Sequence, residues 1–237
     1  MTIENIAAAC EGTFVGDRNL VTKEIAGAVT DSRQVQKDYL FIPIKGARVD
    51  GHDFIPQVFE KGALVVLSDH ALPEETGPYI LVSSTTEAMK KIAAFYRTQL
   101  SCKVVGITGS VGKTSTKEMI SAALETGFRI MKTAGNQNSQ IGVPLTLFRL
   151  EKGQELAVVE MGISEFGEME NLVRFAEPDV AVVTNIGEAH IAQFGRKENT
   201  LKEKLKIAMN FTEKQRVFLN GDDPLLRKAA AELHCPV

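Results

Sequence analysis

One stretch constrains this chain more than any other: Val104-Val105-Gly106-Ile107-Thr108-Gly109-Ser110-Val111-Gly112-Lys113-Thr114-Ser115-Thr116-Lys117-Glu118. It opens as an apolar run of strand type and passes through three glycines to a lysine and a row of hydroxyls. It then continues into the helix-forming Met119-Ile120-Ser121-Ala122-Ala123-Leu124. A strand, a glycine turn, Gly-Lys-Thr and a helix together make a phosphate cradle. Backbone N–H groups face the anion, the helix N-terminus adds partial positive charge, Lys113 reaches the outer phosphates, and the Thr114 hydroxyl suits Mg2+. The strict pattern G-x-x-x-x-G-K-[ST] needs glycine at 107, where Ile107 stands; the glycines fall at 106, 109 and 112. The stretch is therefore a variant P-loop.

From this point the pattern is regular. Apolar runs near 103–107, 128–131, 156–160, 179–184 and 216–219 alternate with helical segments. Continuous apolar strands in βα alternation predict a parallel sheet covered on both faces, with ligands at the carboxyl ends of the strands. Four polar features fall at those ends: the P-loop; Glu160 before Met161-Gly162; Thr184-Asn185-Ile186-Gly187-Glu188-Ala189-His190; and Asn220-Gly221-Asp222-Asp223. A carboxylate at a strand tip beside bound phosphate suits Mg2+, which prefers oxygen ligands. Singly, an Asn-Gly-Asp is a turn and a histidine is often only hydrogen-bonded. Their recurrence at successive strand ends points to one site. The polar loop Gly135-Asn136-Gln137-Asn138-Ser139-Gln140-Ile141-Gly142-Val143-Pro144 is either a plain connection or a substrate contact, with Pro144 in the first turn of the next helix.

The first hundred residues read as a smaller α/β unit, so the organisation expected is 1–101 followed by 102–237. Thr2 caps a short helix with Ile3, Ile6, Ala7 and Cys10 on its apolar face. Strands are expected at 28–30, 39–44, 63–67 and 79–82, with Pro43 pushing the second toward an edge or a bulge. Helices are expected at 54–61 and, capped by Thr86, at 87–100. On physics alone Asp31-Ser32-Arg33 is a polar turn or a cap. His52, in Asp50-Gly51-His52-Asp53, reads first as a turn histidine.

Composition narrows the classes. At 237 residues with 44% hydrophobic and 24% charged residues, the chain is of ordinary globular type. A net charge of -3 gives no electrostatic footprint for nucleic acid. No apolar run has the length of a membrane span, so no membrane insertion is expected. The first residues lack the basic start and apolar core of a signal peptide. Cys10, Cys102 and Cys235 are few and widely spaced, which fits a reducing cytoplasm rather than a disulfide framework or a zinc site.

Taken together, these motifs resemble the ATP-dependent Mur ligases of peptidoglycan synthesis. The resemblance rests on 106–119, on Gly135-Asn136-Gln137-Asn138 with Ile141-Gly142-Val143-Pro144-Leu145-Thr146, on Glu160-Met161-Gly162 with Gly167-Glu168-Met169, and on Thr184-Asn185-Ile186-Gly187 with His190. Asp31-Ser32-Arg33 and Asp50-Gly51-His52-Asp53-Phe54 look like the uridine-nucleotide domain shared by the MurE and MurF types; Lys117-Glu118-Met119 and the Asn-x-Asn loop favour the MurF type. The resemblance implies that Thr108, Gly109, Ser110, Gly112, Lys113, Thr114, Ser115 and Asn220 bind ATP. It implies that Ser32, Arg33, Lys45, Gly46 and Asn138 bind the UDP-muramoyl peptide, and that Lys113, Glu160, His190 and Lys204 are catalytic. Mg2+ would fall to Thr114, Glu160, His190 and Lys204, the last as a carbamate; Lys202 competes with it by register. Ser139 and Ser164 depart from the family pattern, where asparagine is frequent.

The implied reaction is ATP-driven. The terminal carboxylate of a UDP-muramoyl tripeptide becomes an acyl phosphate, and the amine of D-alanyl-D-alanine displaces phosphate to form the amide. Family members have three domains and are roughly twice as long, so the central domain is expected to be incomplete and the C-terminal domain absent. A separate chain supplying that domain is one expectation, and little ligation by this chain alone is another. A MurE-type ligase and a non-catalytic nucleotide-binding half of a split enzyme are the alternatives; Asp31-Ser32-Arg33 argues against a folylpolyglutamate synthase.

Overall fold

The structure is a computed structural model that describes residues 1–237. It divides into two compact units, Met1–Tyr96 and Arg97–Val237. The first is a five-stranded sheet built from β1 (Thr13–Val15), β2 (Gly27–Val29), β3 (Tyr39–Phe41), β4 (Val65–Ser68) and β5 (Tyr79–Leu81). The spatial order is β1-β5-β4-β3-β2, with β1 antiparallel to β5 and the other pairs parallel. Its helices are α1 (Ile3–Ala9), α2 (Ile55–Glu60) and α3 (Thr85–Thr98). Phe41, Ile55, Val58, Val66 and Tyr79 form one of its buried clusters.

Three local details differ from the expectation. β3 lies inside the sheet, not at its edge, because pairing stops at Phe41 and Pro43 falls just beyond the ladder. Its missing N–H therefore costs no ladder bond, and the Pro43 carbonyl accepts from the Thr85 hydroxyl at 2.6 Å. Helix α3 starts at Thr85 and is capped by Ser84, whose Oγ accepts from the Glu87 N–H at 3.3 Å. The antiparallel strand β1 is not among the expected strands: Thr13-Phe14-Val15 offers a single aromatic between two exposed residues, with no apolar run to mark it.

The second unit carries β6 (Lys103–Thr108), β7 (Ile130–Lys132), β8 (Leu156–Glu160), β9 (Val180–Val183) and β10 (Arg216–Leu219) in the order β10-β9-β6-β8-β7, all parallel. Its helices are α4 (Lys113–Leu124), α5 (Gly142–Leu147), α6 (Glu168–Ala176), α7 (Ile191–Phe194), α8 (Lys197–Leu205) and α9 (Pro224–Ala229). The central strands are buried on both faces, as their unbroken apolar runs require. Ile120 and Leu124 of α4, one helical turn apart, pack on Val105, Ile107 and Val158. Met169, Leu172, Val173 and Ala176 form the buried stripe of α6. The register pairs Ile107 with Glu160 and Thr108 with Val183, so the P-loop, Glu160 and the 184–190 loop leave the sheet at one level.

Candidate nucleotide and substrate site

The P-loop is held by the loop that follows β9. Ser110 N–H donates to the Asn185 carbonyl at 3.0 Å and Val111 N–H to Asn185 Oδ1 at 3.0 Å. The Thr184 hydroxyl donates to the Val111 carbonyl at 2.6 Å, and Gly187 N–H donates to Ser110 Oγ at 2.8 Å. This lacing explains a glycine. Gly109 has φ +146°, and a Cβ there would run into the Thr184 hydroxyl. Gly112, with φ +83°, precedes α4, and no side chain caps that helix. Its first-turn N–H groups are thereby left for an anion.

Lys113 folds back along the loop, its Nζ 2.9 Å from the Gly109 carbonyl and 3.4 Å from that of Ser110. Burial lowers its pKa, and the charge of Glu160 opposes that shift. Glu160 is 1% exposed yet both carboxylate oxygens are satisfied. Oε2 accepts from the Thr114 hydroxyl at 2.9 Å and Oε1 from Asn138 Nδ2 at 2.7 Å. Thr114 and Glu160 therefore put two oxygen donors side by side at the mouth of the cradle, the donor type that Mg2+ takes.

A cavity of about 250 Å³ opens here, lined among others by Gly109, Ser110, Lys113, Asn138, His190 and Lys204. His190 sits in the left-handed region, φ +59°, at the head of α7. Lys204 projects from the inner face of α8 and is 2% exposed, whereas Lys202 is on the outside. Burial, with the nearby charge of Lys113 adding to it, lowers the Lys204 pKa to about 8.

The remaining candidates in this unit lie apart from the cavity lining. Thr108 is fully buried at the end of β6, and its hydroxyl has no partner. Ser115 is exposed in the first turn of α4. Asn220 is exposed after β10, its Oδ1 accepting from Asp222 N–H at 3.0 Å.

Four further residues shape the site in ways that their motifs alone do not specify. Glu168 lines the cavity and accepts from Ser164 N–H at 2.5 Å and Glu165 N–H at 3.0 Å. Asp223 caps α9 and accepts from Ile186 N–H at 2.7 Å, tying β10 to the 184–190 loop. Its place just before Pro224 was a readable helix-start signal. Lys117, 1% exposed, donates to the Thr133 carbonyl at 2.9 Å and anchors the start of the Asn138 loop. Glu203, also buried, accepts from Gly167 N–H at 2.7 Å and pairs with Lys206 at 2.8 Å. Of the two family departures, Ser139 accepts from the N–H groups of Ile141 and Gly142 and so starts α5.

In the first unit, Ser32 and Arg33 follow β2 while Lys45 and Gly46 follow β3, at the carboxyl ends of adjacent parallel strands. Arg33 is 86% exposed and is oriented by Asp31, with Nε 2.9 Å from Oδ1 and Nη2 2.7 Å from Oδ2. That fork lowers the Asp31 pKa to about 2. The Ser32 carbonyl accepts from Lys61 Nζ at 2.8 Å. Lys45 and Gly46 are exposed in a turn closed by a bond from Gly46 N–H to the Val49 carbonyl at 2.9 Å.

A parallel α/β unit with a P-loop and a carboxylate at the neighbouring strand tip, preceded by a smaller α/β unit, defines a phosphate-binding protein of the P-loop class. Family models make this specific: the Mur ligase middle domain matches residues 107–237 and the Mur ligase family catalytic domain matches 24–97. The chain belongs to the Mur ligase family. It is 44% identical over 230 residues to the UDP-N-acetylmuramoyl-tripeptide--D-alanyl-D-alanine ligase of Bacillus subtilis, covering 96% of this chain and 50% of that protein. Among solved structures it resembles MurF from Acinetobacter baumannii, with TM-score 0.89, 30% identity, and coverage of 99% of this chain and 52% of that one. It also resembles the MurF ligase of Thermotoga maritima in complex with ADP, with TM-score 0.80, 35% identity, and coverage of 89% and 49%. The chain spans about half the length of the curated relatives it matches.

Proposed function

We propose that this chain forms the UDP-muramoyl-peptide-binding and ATP-binding portions of an ADP-forming ligase that joins D-alanyl-D-alanine to a UDP-N-acetylmuramoyl tripeptide. The observation that carries the reading is the cavity where Lys113, Asn138, His190 and Lys204 meet at the strand ends. The MurF names of its relatives supply the substrates. ATP phosphates would lie on the open N-terminus of α4, with Lys113 leaving the Gly109 carbonyl to meet them. Asn220 would lie toward the adenine. Asn138 would face the peptide, while Ser32, Arg33, Lys45 and Gly46 would take the uridine diphosphate. The two units correspond in this reading to the 1–101 and 102–237 domains.

Thr114 and Glu160, two oxygen donors 2.9 Å apart, would hold a Mg2+ ion, and Glu160, His190 and a carbamylated Lys204 would hold a second. Bound there, Mg2+ would neutralise charge on the transferring phosphoryl group. The depressed pKa of Lys204 supports the carbamate. About one amine in ten would be neutral at pH 7, against fewer than about one in a thousand for an ordinary lysine. The neutral Nζ attacks CO2, an N–C bond forms, a proton leaves to water, and a buried cation becomes an oxygen-rich anion. In the reaction itself, a peptide carboxylate oxygen attacks the γ-phosphorus and ADP departs; the incoming amine then displaces phosphate. Lys113 and the α4 N–H groups hold the phosphoryl oxygens in line throughout.

Ligation needs the part of the relatives that this chain does not span, whether in one longer chain or from a separate one. Free cysteines at 10, 102 and 235 are in keeping with work in the cytoplasm. No helix is long and apolar enough to cross a membrane. Calorimetric titration with Mg-ADP tests the reading: one site, lost in Lys113→Ala, is expected. A folded chain that binds no nucleotide would overturn it. D-alanyl-D-alanine-dependent phosphate release by this chain alone should be negligible.

A further inference from the structure

The first unit carries a histidine with an unspent nitrogen. Only 7% of the His52 side chain is exposed. Its Nδ1 lies 2.6 Å from Asp50 Oδ1, which also accepts from the His52 backbone N–H at 3.0 Å. In the tautomer that carries its proton on Nδ1, that proton goes to Asp50 and Nε2 is the ring nitrogen left for a ligand. That Nε2 is buried and has no hydrogen-bond partner.

What faces it comes from the end of β4. Asp69 Oδ1 stands 3.4 Å from His52 Nε2 and 2.8 Å from His70 Nδ1. The two imidazole centroids are 4.9 Å apart. One ligand atom from each of His52, Asp69 and His70 can be chosen so that all lie within 4.8 Å of one another. The loop is pinned: the Ser68 hydroxyl donates to the His70 carbonyl at 2.6 Å and accepts from its N–H at 3.3 Å.

Two imidazoles and a carboxylate with the outer side open to solvent are the donor set of a tetrahedral zinc-type ion, not of Mg2+ or Ca2+, which prefer oxygen. Asp50 stands where an outer carboxylate orients a metal-bound histidine. We propose that His52, Asp69 and His70 form a binding site for a divalent transition ion of the Zn2+ class, carried wholly by the first unit. The ion joins the Asp50–Phe54 turn to the loop after β4. Because Asp50 bridges to Lys45, it also stiffens the turn that presents Lys45 and Gly46. The site stands whether or not the ligase reading does.

The test is calorimetric titration of the whole chain with Zn2+ in excess Mg2+, alongside Asp69→Asn, His70→Gln, Asp50→Asn and Cys235→Ser. His70 is 57% exposed at its side chain, so its variant should fold, which circular dichroism checks. One tight equivalent of Zn2+ is expected. Asp69→Asn and His70→Gln should each weaken it by about tenfold or more, Asp50→Asn by about 10–100-fold, and Cys235→Ser not at all. Zn2+ should raise the melting temperature of the parent chain more than that of His70→Gln at the same concentration. Absence of tight binding, or binding that survives Asp69→Asn and His70→Gln unchanged, would overturn the site.

Discussion

The Thr114 hydroxyl donates to Glu160 Oε2 across 2.9 Å, joining the first turn of α4 to the tip of β8. The contact sets the phosphate cradle beside the carboxylate. Glu160→Gln keeps the shape and a hydrogen-bonding group but removes the anion. We expect it to weaken Mg-ADP binding by about tenfold or more while leaving Mg2+-free ADP binding nearly unchanged. Titrations with and without Mg2+ check this; equal losses in both would show that Glu160 acts only through packing.

Lys204 should make the chain's stability depend on pH. Its pKa is lowered to about 8, so the unfolded chain binds more protons between there and the ordinary lysine value of 10.5. Stability therefore rises with pH across that window, and the burial penalty is complete below it. Lys204→Met removes the penalty, on the order of 3 kcal/mol from a shift of this size. In CO2-free buffer the variant should be more stable than its parent at pH 7, with the gain fading above about pH 8. Urea melts at pH 7 and pH 10 measure the difference; an equal gain at both would contradict it.

Gly109→Ala should abolish nucleotide binding. The new methyl meets the Thr184 hydroxyl, and φ +146° is unfavourable for any side chain. The lacing of the P-loop to Asn185 and Thr184 must then give way, at a cost of about 1–3 kcal/mol. Gly127→Ala, where nothing lies within 4 Å of the added carbon, is the control and should bind normally. Titration with Mg-ADP reads both.

Asp31→Asn should leave the fold intact and weaken uridine-diphosphate binding by about tenfold, the scale of a lost charge-assisted bond that orients Arg33. The Asp31 pKa is lowered to about 2, so Arg33 should stay oriented above the unfolded carboxyl value near 3.8 and be released progressively as pH falls toward 2. UDP titrations of the parent and the variant at pH 7 separate the two.

Much of this was legible because the signals are local. Gly112-Lys113-Thr114 between an apolar run and a helix locates the cradle, and Glu160 closes an unbroken apolar run, so both could be read without the fold. The choice between Lys204 and Lys202 could not be. It depends on which face α8 turns inward, and Glu203 and Lys204 are both buried. His52 was opaque for a similar reason: its surroundings come from Asp69 and His70, brought across by the pairing of β3 with β4. The place of Pro43 was not legible because the apolar run continues to Ile44 while the ladder stops at Phe41.

The central claim is that this chain recognises a UDP-muramoyl tripeptide and ATP. Thermal melting with UDP-muramoyl tripeptide, UDP-muramoyl dipeptide and UDP alone, each with and without Mg-ATP, tests it most directly, since a ligand that binds only the folded state raises the melting temperature. The tripeptide should give the largest rise, increased further by Mg-ATP, with UDP alone giving a small one. No rise with the tripeptide, or a rise no larger than with UDP, would contradict the claim.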